Sequence, residues 1–357
     1  MEKSNARWSV VATASVAAIC AAVAVPLAAG ATPDLPEKSA EEVLALVAES
    51  QGAAFSGTLL QTSDLGLPEI PSVAGDSGDE LQSGLELLTG SHEARVFAGG
   101  EDRIRVQILD ELAERDVIRN GDDVWFYDSA VNEATHLVLS EHDAPTPTSI
   151  PTPAEIADGL LDAVEPSTEV SVESHARVAG RDAYVLSLVP RTDQTLVAAV
   201  TLSVDAETGL PLSVEVSARG QDDPAFAVAF TQIDFSAPDP ALFDFSAPAT
   251  AEVTEKLAPT TDSAHSSYPD DSAPAPVVTG TGWNSVITVS SPAASAGDPA
   301  DGNGDEADYT ALLSQLTSPV AGGRAIQTSL ISILLTDDGR VLVGAVPTER
   351  LLAVAGQ

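Results

Sequence analysis

The side chains that most often do chemistry are few in this chain and lie far apart. The five histidines, His92, His136, His142, His175 and His265, fall in different segments. None stands in an HExxH or paired Cys/His spacing that would hold zinc. His136 and His142 are six positions apart, one on a strand and one in a loop, and read as solvent-facing residues rather than a metal pair. Gly75-Asp76-Ser77-Gly78 looks like a serine-nucleophile motif, but its base histidine would have to come earlier, and no histidine precedes His92. It reads as a loop. Asp301, Asn303 and Asp305 have the spacing of the first ligands of a calcium loop. Glu306 then stands where a glycine is required and Leu312 where a bidentate acid is required. There is no GxGxxG after a strand, no P-loop and no GxSxG elbow. The chain therefore reads as no enzyme, with no cofactor and no metal.

Charge narrows the partners. Sixteen basic and 54 acidic residues give a formal net charge of −38 over 357 residues. Nucleic-acid binding needs a basic footprint, and none is visible. An anionic membrane surface would repel the soluble part. Hydrophobic residues are 44% of the chain, enough for a sizeable core. The one cysteine, Cys20, lies in an apolar run, so no intrachain disulfide can form. That run, Trp8 to Ala29, follows Lys3 and Arg7 and ends at Ala29-Gly30-Ala31, a small-x-small cleavage pattern. Residues 1–31 are read as a signal peptide or an uncleaved membrane anchor; either places the rest outside the cytoplasm.

The elements that would position a site are mostly strands. Asp122 to Ser140 holds two, Val124–Tyr127 and Ala134–Leu139, and Asn120-Gly121 before them predicts a type I′ hairpin turn. The first is apolar on both faces, so it must be covered on both or line a cavity. Upstream, Ser39 and Glu42 form a capping box for a short helix carrying Val43, Leu44 and Val47, followed by a strand over Ala54–Thr62. Strands are expected over Leu81–Leu88, Glu93–Phe97, Arg103–Leu109 and Ala113–Arg119; in the third, Ile104, Val106 and Ile108 alternate with Arg103, Arg105 and Gln107. A helix over Ala154–Val164, with Leu160 inward, would lie across the sheet. A second meander follows over Thr168–Ala176, Asp182–Pro190, Leu196–Asp205, Leu210–Ala218 and Phe226–Phe235. The repeated strand–turn spacing predicts one large antiparallel sheet. Residues 253–276 read as a linker, and 277–357 as a small unit docked on the main sheet. That unit has a strand over Val277–Ser290, a helix over Asp308–Leu316, a hairpin over Asp337-Asp338-Gly339 and a helix after Pro347.

This arrangement resembles the LolA-like superfamily of periplasmic lipoprotein carriers, which includes RseB-like envelope sensors. Leu44 and Leu46 precede Phe55 and Gln61-Thr62, like that family's opening helix and first strand. Val124-Trp125-Phe126-Tyr127-Asp128 to Thr135 is similar to its central hairpin. Phe235 through Phe243-Asp244-Phe245 and Pro248 is similar to its closing segment. The resemblance spans 39 to 252, within a domain set at 32–252. It implies a mainly β (α+β) fold: an open antiparallel β half-barrel with helices covering the concave face, here with a small C-terminal unit added. It further implies that this face binds acyl chains or a lipidated partner. Two departures stand out: no basic residue can be assigned to a cavity mouth, and the unit after 259 lies outside the family's core.

The leading expectation is thus a non-enzymatic lipid or lipoprotein carrier. Its apolar cavity and lid would comprise Leu44, Val106, Ile108, Trp125, Tyr127, Leu160, Leu202, Val204, Leu212, Val214, Phe226 and Phe230. Exposing a sixteen-carbon chain to water costs roughly 12 kcal/mol at about 0.8 kcal/mol per CH₂, so a carrier must bury it. The alternative is an envelope sensor or scaffold that binds another protein; a hydrolase on a variant sheet ranks third. Strand parity decides which side chains face the cavity, and a one-residue slip reverses it.

Overall fold

The computed structural model describes residues 34–67, 90–109, 113–139, 166–257, 276–290 and 316–356. The expected export segment, the strand over Leu81–Leu88, the helix bearing Leu160, the calcium-like loop and all but the end of the helix over Asp308–Leu316 lie outside these residues.

Helix α1 (Ala40–Glu49) starts where the capping box predicts. Glu42 N donates to Ser39 Oγ at 3.3 Å and Ser39 N to Glu42 Oε2 at 2.8 Å, which satisfies two otherwise orphaned amides. Eleven antiparallel strands follow. They are β1 (Ala54–Ser63), β2 (Gly90–Gly99), β3 (Arg103–Leu109), β4 (Glu114–Asn120), β5 (Asp123–Asp128), β6 (Glu133–Val138), β7 (Thr168–Val178), β8 (Arg181–Pro190), β9 (Val197–Asp205), β10 (Pro211–Ala218) and β11 (Pro224–Asp234). Strand β1 sits mid-sheet, with β2 to β6 running out on one side and β11 back to β7 on the other. The sheet stays open, as a half-barrel must. β12 (Glu252–Leu257) adds a parallel edge strand to β6.

Two differences from the sequence reading have local causes. Asn120 pairs with Asp123, so the β4–β5 loop is Gly121-Asp122. Only Gly121 has positive φ (65°), the pattern of a type II′ turn with glycine first. Residues 253–257, assigned to the linker, lie instead in β12. The Asn132 amide donates to Thr250 O at 2.7 Å and Glu252 N to Asn132 O at 3.0 Å, which lays the chain along β6. The loop between β9 and β10 closes on Gly209 at φ 75°, and a Cβ there would lie 2.1 Å from Leu46 O of α1. Gly209→Ala is therefore expected to destabilise the chain by about 1 kcal/mol or more, read as a lower urea midpoint. An unchanged midpoint would mean that α1 is not seated on this loop.

The C-terminal unit is a second sheet of β13 (Val277–Thr279), β14 (Val286–Ser290), β15 (Ser318–Val320), β16 (Gly323–Gln327), β17 (Ser332–Thr336) and β18 (Arg340–Gly344), in the order β13-β14-β18-β17-β16-β15. Helix α2 (Thr348–Ala355) lies on one face. Leu351 and Val354 pack there against Val286, Ala325, Leu334 and Leu342. The unit meets the main sheet end-on. Leu196 N and Thr195 Oγ1 donate to Ala345 O at 2.9 and 2.6 Å, Trp283 Nε1 to Thr168 Oγ1 at 2.8 Å, and Ser329 N to Leu65 O at 2.9 Å.

Candidate functional site

Cross-strand register assigns every side chain of the main sheet to a face, because partners opposite one another share it. Val106 lies between Val96 and Val117, and Ile108 opposite Ala94. Val117 in turn pairs with Phe126. Across β1 the same face continues through Leu59 and Phe230, then Phe226, Val214 and Leu202. Val204 joins it through Tyr184. One apolar surface therefore runs over the width of the sheet, and it falls into two unlike halves.

The half formed by β7 to β11 is filled. Val204 and Leu212 are fully buried and Phe230 nearly so. Val43, Leu46 and Val47 of α1 close over Tyr184, Val204 and Leu202; Leu44 is half-buried beside them. Phe55 meets Phe230 edge-on at 5.8 Å between ring centroids, and Leu212 packs into the same cluster. Register breaks at Thr58/Leu59, Pro211/Ser213, Val216/Ser217 and Val172/His175 mark the irregularities that let this half bend. Gly57 has no Cβ to hold off the Phe230 ring, which would lie 2.7 Å from one.

The half formed by β3 to β5 is open. Ile104 is 38% and Phe126 44% exposed, while Val106, Ile108 and Val117 are half-buried. A run of aliphatic and aromatic side chains on adjacent strands, still wet, is a surface that gains free energy by being covered. Two arginines on this face flank Val117. Arg115 lies 3.3 Å from Asp128, and Arg119 lies 3.6 Å from Asp102 and donates to Gly121 O.

Trp125 and Tyr127 do not line this face. The β4–β5 register sets Trp125 beside Ile118 and Tyr127 beside Asp116, on the opposite side of the sheet. There Phe245 covers both, with centroids at 5.3 and 5.7 Å, and His136 stacks on Trp125 at 4.2 Å while its Nε2 meets Asp123 Oδ1 at 2.7 Å. Phe126 takes the place expected of them. Val-Trp-Phe-Tyr is apolar in both parities, so only pairing with β4 decides which ring faces where. Of the expected set, Val106 and Ile108 belong to the open half. Leu202, Val204, Leu212 and Phe230 belong to the filled half, Val214 and Phe226 stay half-buried like Val106 and Ile108, Leu44 belongs to the cover, and Leu160 lies outside the described residues. Ile104, Val117 and Phe126 share the open face with Val106 and Ile108 and stand outside the expected set. The clean alternation of β3 pointed to Ile104; for the other two no signal short of register existed.

The second face carries the charged anchors. Arg105 pairs with Asp116 at 2.7 Å, and its NH1 donates to Leu242 O at 3.2 Å. This ties down the turn at Pro240–Phe243. At the filled half, Arg181 Nε and NH2 donate to Asp205 at 2.7 and 3.0 Å, and NH2 also to Glu207 at 2.7 Å. Burial pushes the Asp205 carboxyl up, but the bonds from Arg181, Thr208 and the Glu207 amide outweigh it and hold the group below its ordinary value.

Among the described residues, no group of three His, Cys, Asp or Glu could hold a metal ion, and no helix is long and apolar enough to cross a membrane. A small open pocket of about 260 Å³ lies between the start of α1 and β7, lined by Lys38, Ser39, Glu41 and Val170 to Val172. It is polar, and smaller than the roughly 300–1,000 Å³ usual for small-molecule sites.

Residues 88–256 match the family model described as the MucB/RseB N-terminal domain. No curated protein matches the sequence. Among solved structures, the MucA/MucB complex of Pseudomonas aeruginosa aligns at 17% identity over 88% of this chain and 96% of that one, with a TM-score of 0.45. A LolA-superfamily protein of Nitrosomonas europaea aligns at 15% identity over 58% of this chain and 99% of that one, with a TM-score of 0.24.

Proposed function

We propose, from the premise that this chain is a LolA-like protein whose residues 88–256 fall to the MucB/RseB branch, that it is a non-enzymatic binding protein of the cell envelope. Its ligand is an acyl chain, free or carried by a lipoprotein, and it is held on the open half of the apolar face. The observation that carries this reading is the exposure of Ile104 and Phe126 beside Val106, Ile108 and Val117 on one face. An acyl chain laid there trades wet methylenes for contact with aliphatic side chains at about 0.8 kcal/mol per CH₂. No proton transfer or metal is needed. The filled half acts as the rigid wall that keeps the open half in shape, which revises the expected lining from a whole-sheet cavity to one side of it. The extracytoplasmic location rests on the family and on the export pattern of residues 1–31, cleaved or anchored.

A second reading is favoured by the branch of the family matched and by the docked C-terminal unit: a sensor or scaffold that binds another protein through the same face. The deciding experiment is denaturing extraction of the chain purified from a lipid-rich host, followed by mass spectrometry. The carrier reading expects about one acyl lipid per chain, lost in Val106→Asp and Phe126→Asp variants that keep their circular dichroism. A clean extract, with no rise in Tm on adding palmitate, would overturn acyl binding and leave the protein-binding sensor.

A further inference from the structure

The outermost strands of a sheet leave a row of backbone groups unpaired, and proteins shield such edges with charges, proline or bulges. Among the described residues the two sheets present four edges: β12 and β7 on the main sheet, β13 and β15 on the small one. Three are shielded. β12 carries Glu252, Glu255 and Lys256. β7 carries Glu169, Glu173 and Arg177, and its ladder is irregular between Val172 and His175. β15 has Pro319, which lacks an N–H, at its centre. β13, Val277-Val278-Thr279, has no charge, no proline and no irregularity.

This edge is apolar on both sides. Val278 and Val277 are 62% and 58% exposed, the two highest values among the described large apolar side chains. Val278 ends a row that crosses five strands through Ile287, Val343, Ile333 and Ile326. Val277 lies on the α2 side, in line with Thr288 and Leu342. An apolar, uncharged edge gains free energy by receiving another strand. Its one protection is its length of three residues, which keeps any ladder formed there short.

Charge and symmetry select the occupant. The chain has a formal net charge of −38, so two copies repel wherever their charged surfaces come within the screening length, about 8 Å in physiological salt. No residue from Ser272 to Gly297 is charged, although charged residues make up 20% of the chain. The β13–β14 edge is thus a place where a second copy can approach without that cost. The strand also matches itself. An antiparallel pair of β13 strands, centred on a two-fold axis at Val278, sets Val278 against its own counterpart and Val277 against Thr279. Valine then meets valine on one face and threonine on the other, all β-branched cross-strand pairs. Such a contact is isologous and closes at two copies.

We propose that β13 is a self-association edge: two copies of this chain pair their β13 strands antiparallel about Val278 and join their six-stranded sheets into one continuous sheet. The aliphatic row from Ile326 to Val278 then runs on into the row of the second copy. A three-residue ladder buries less than the roughly 1,200 Å² of stable complexes. The dimer therefore forms and parts with chain concentration, and the main sheet with its open apolar half stays free in both copies.

Sedimentation velocity on the full-length chain tests this. The natural protein is expected to pass from monomer to dimer as its concentration rises through the micromolar range. Val278→Lys sets two lysines opposite each other across the two-fold and should weaken association by about tenfold, equivalent to ~1.4 kcal/mol. Val278→Glu should do the same. An equimolar mixture of the two variants pairs lysine with glutamate and should restore the dimer, which a misfolded edge would not do. Val253→Lys, a charge added to the exposed β12 edge, should leave association unchanged. A natural chain that stays monomeric would overturn the proposal and leave the edge to a strand from another protein. A dimer that persists in Val278→Lys, or variants that do not recover when mixed, would overturn it as well and place the contact elsewhere.

Discussion

Asp205→Ala is expected to lower the stability of the main sheet by about 3–5 kcal/mol, the cost of breaking a buried ion pair by removing one partner. Asp205 is fully buried at the end of β9 and accepts five hydrogen bonds: two from Arg181, one each from the amides of Glu207 and Thr208, and one from Thr208 Oγ1. The carboxylate thus ties β8 to β9 and shapes the turn on which α1 rests. Arg181 keeps Glu207 and the Phe235 ring, 5.0 Å from its guanidinium, so the loss should fall toward the lower end of that range. The same site sets a pH dependence. Because the folded carboxyl titrates below its unfolded value, its contribution is fully present above the ordinary carboxylate range and disappears as pH falls through the folded value. Urea midpoints measured from pH 7 downward should therefore drop for the natural chain and drop less for Asp205→Asn. Parallel curves for the two proteins would show that Asp205 is not the group responsible.

Phe243→Ala is the second large effect, expected at about 3–5 kcal/mol for a buried phenyl removed from a packed site. Phe243 is 1% exposed and lies over Gly99, where any Cβ would come within 2.8 Å of its ring. The Arg103 guanidinium sits 5.7 Å from the ring centroid. The ring therefore clamps the closing segment across the second face of β2 and β3, and the chain beyond it leads through Phe245 to β12. Two readouts separate this clamp from ordinary core loss. Calorimetry should show the lower Tm, and hydrogen exchange should show β12 amides losing protection ahead of those in β8. A fall of under about 1 kcal/mol with β12 unchanged would show that Arg105 and Asn132 suffice to hold the segment.

Much of this architecture could be read before any coordinates. The capping box at Ser39 and Glu42, the alternation of β3 and the turn loops of the second meander are local signals, and local sterics and hydrogen bonding produce them without help from distant residues. The family resemblance added the half-barrel, because spaced motifs report topology that periodicity cannot.

What remained hidden was set by long-range pairing. Trp125 and Tyr127 against Phe126 is a choice of parity, and β5 is apolar in both parities, so only its register with β4 orients it. The division of one apolar face into a filled half and an open half depends on curvature. Val204 and Val106 look alike in sequence, yet α1 and Phe230 close over one neighbourhood and leave the other wet. β12 was masked by its polar composition and is held by Asn132, more than a hundred residues earlier in the chain. Composition and periodicity thus determined most strands of the main sheet, although the one strand expected over Val277–Ser290 is divided into β13 and β14. Which apolar residues are core and which remain available to a ligand was decided by the bending of the sheet, since burial depends on where neighbours from distant segments come to rest.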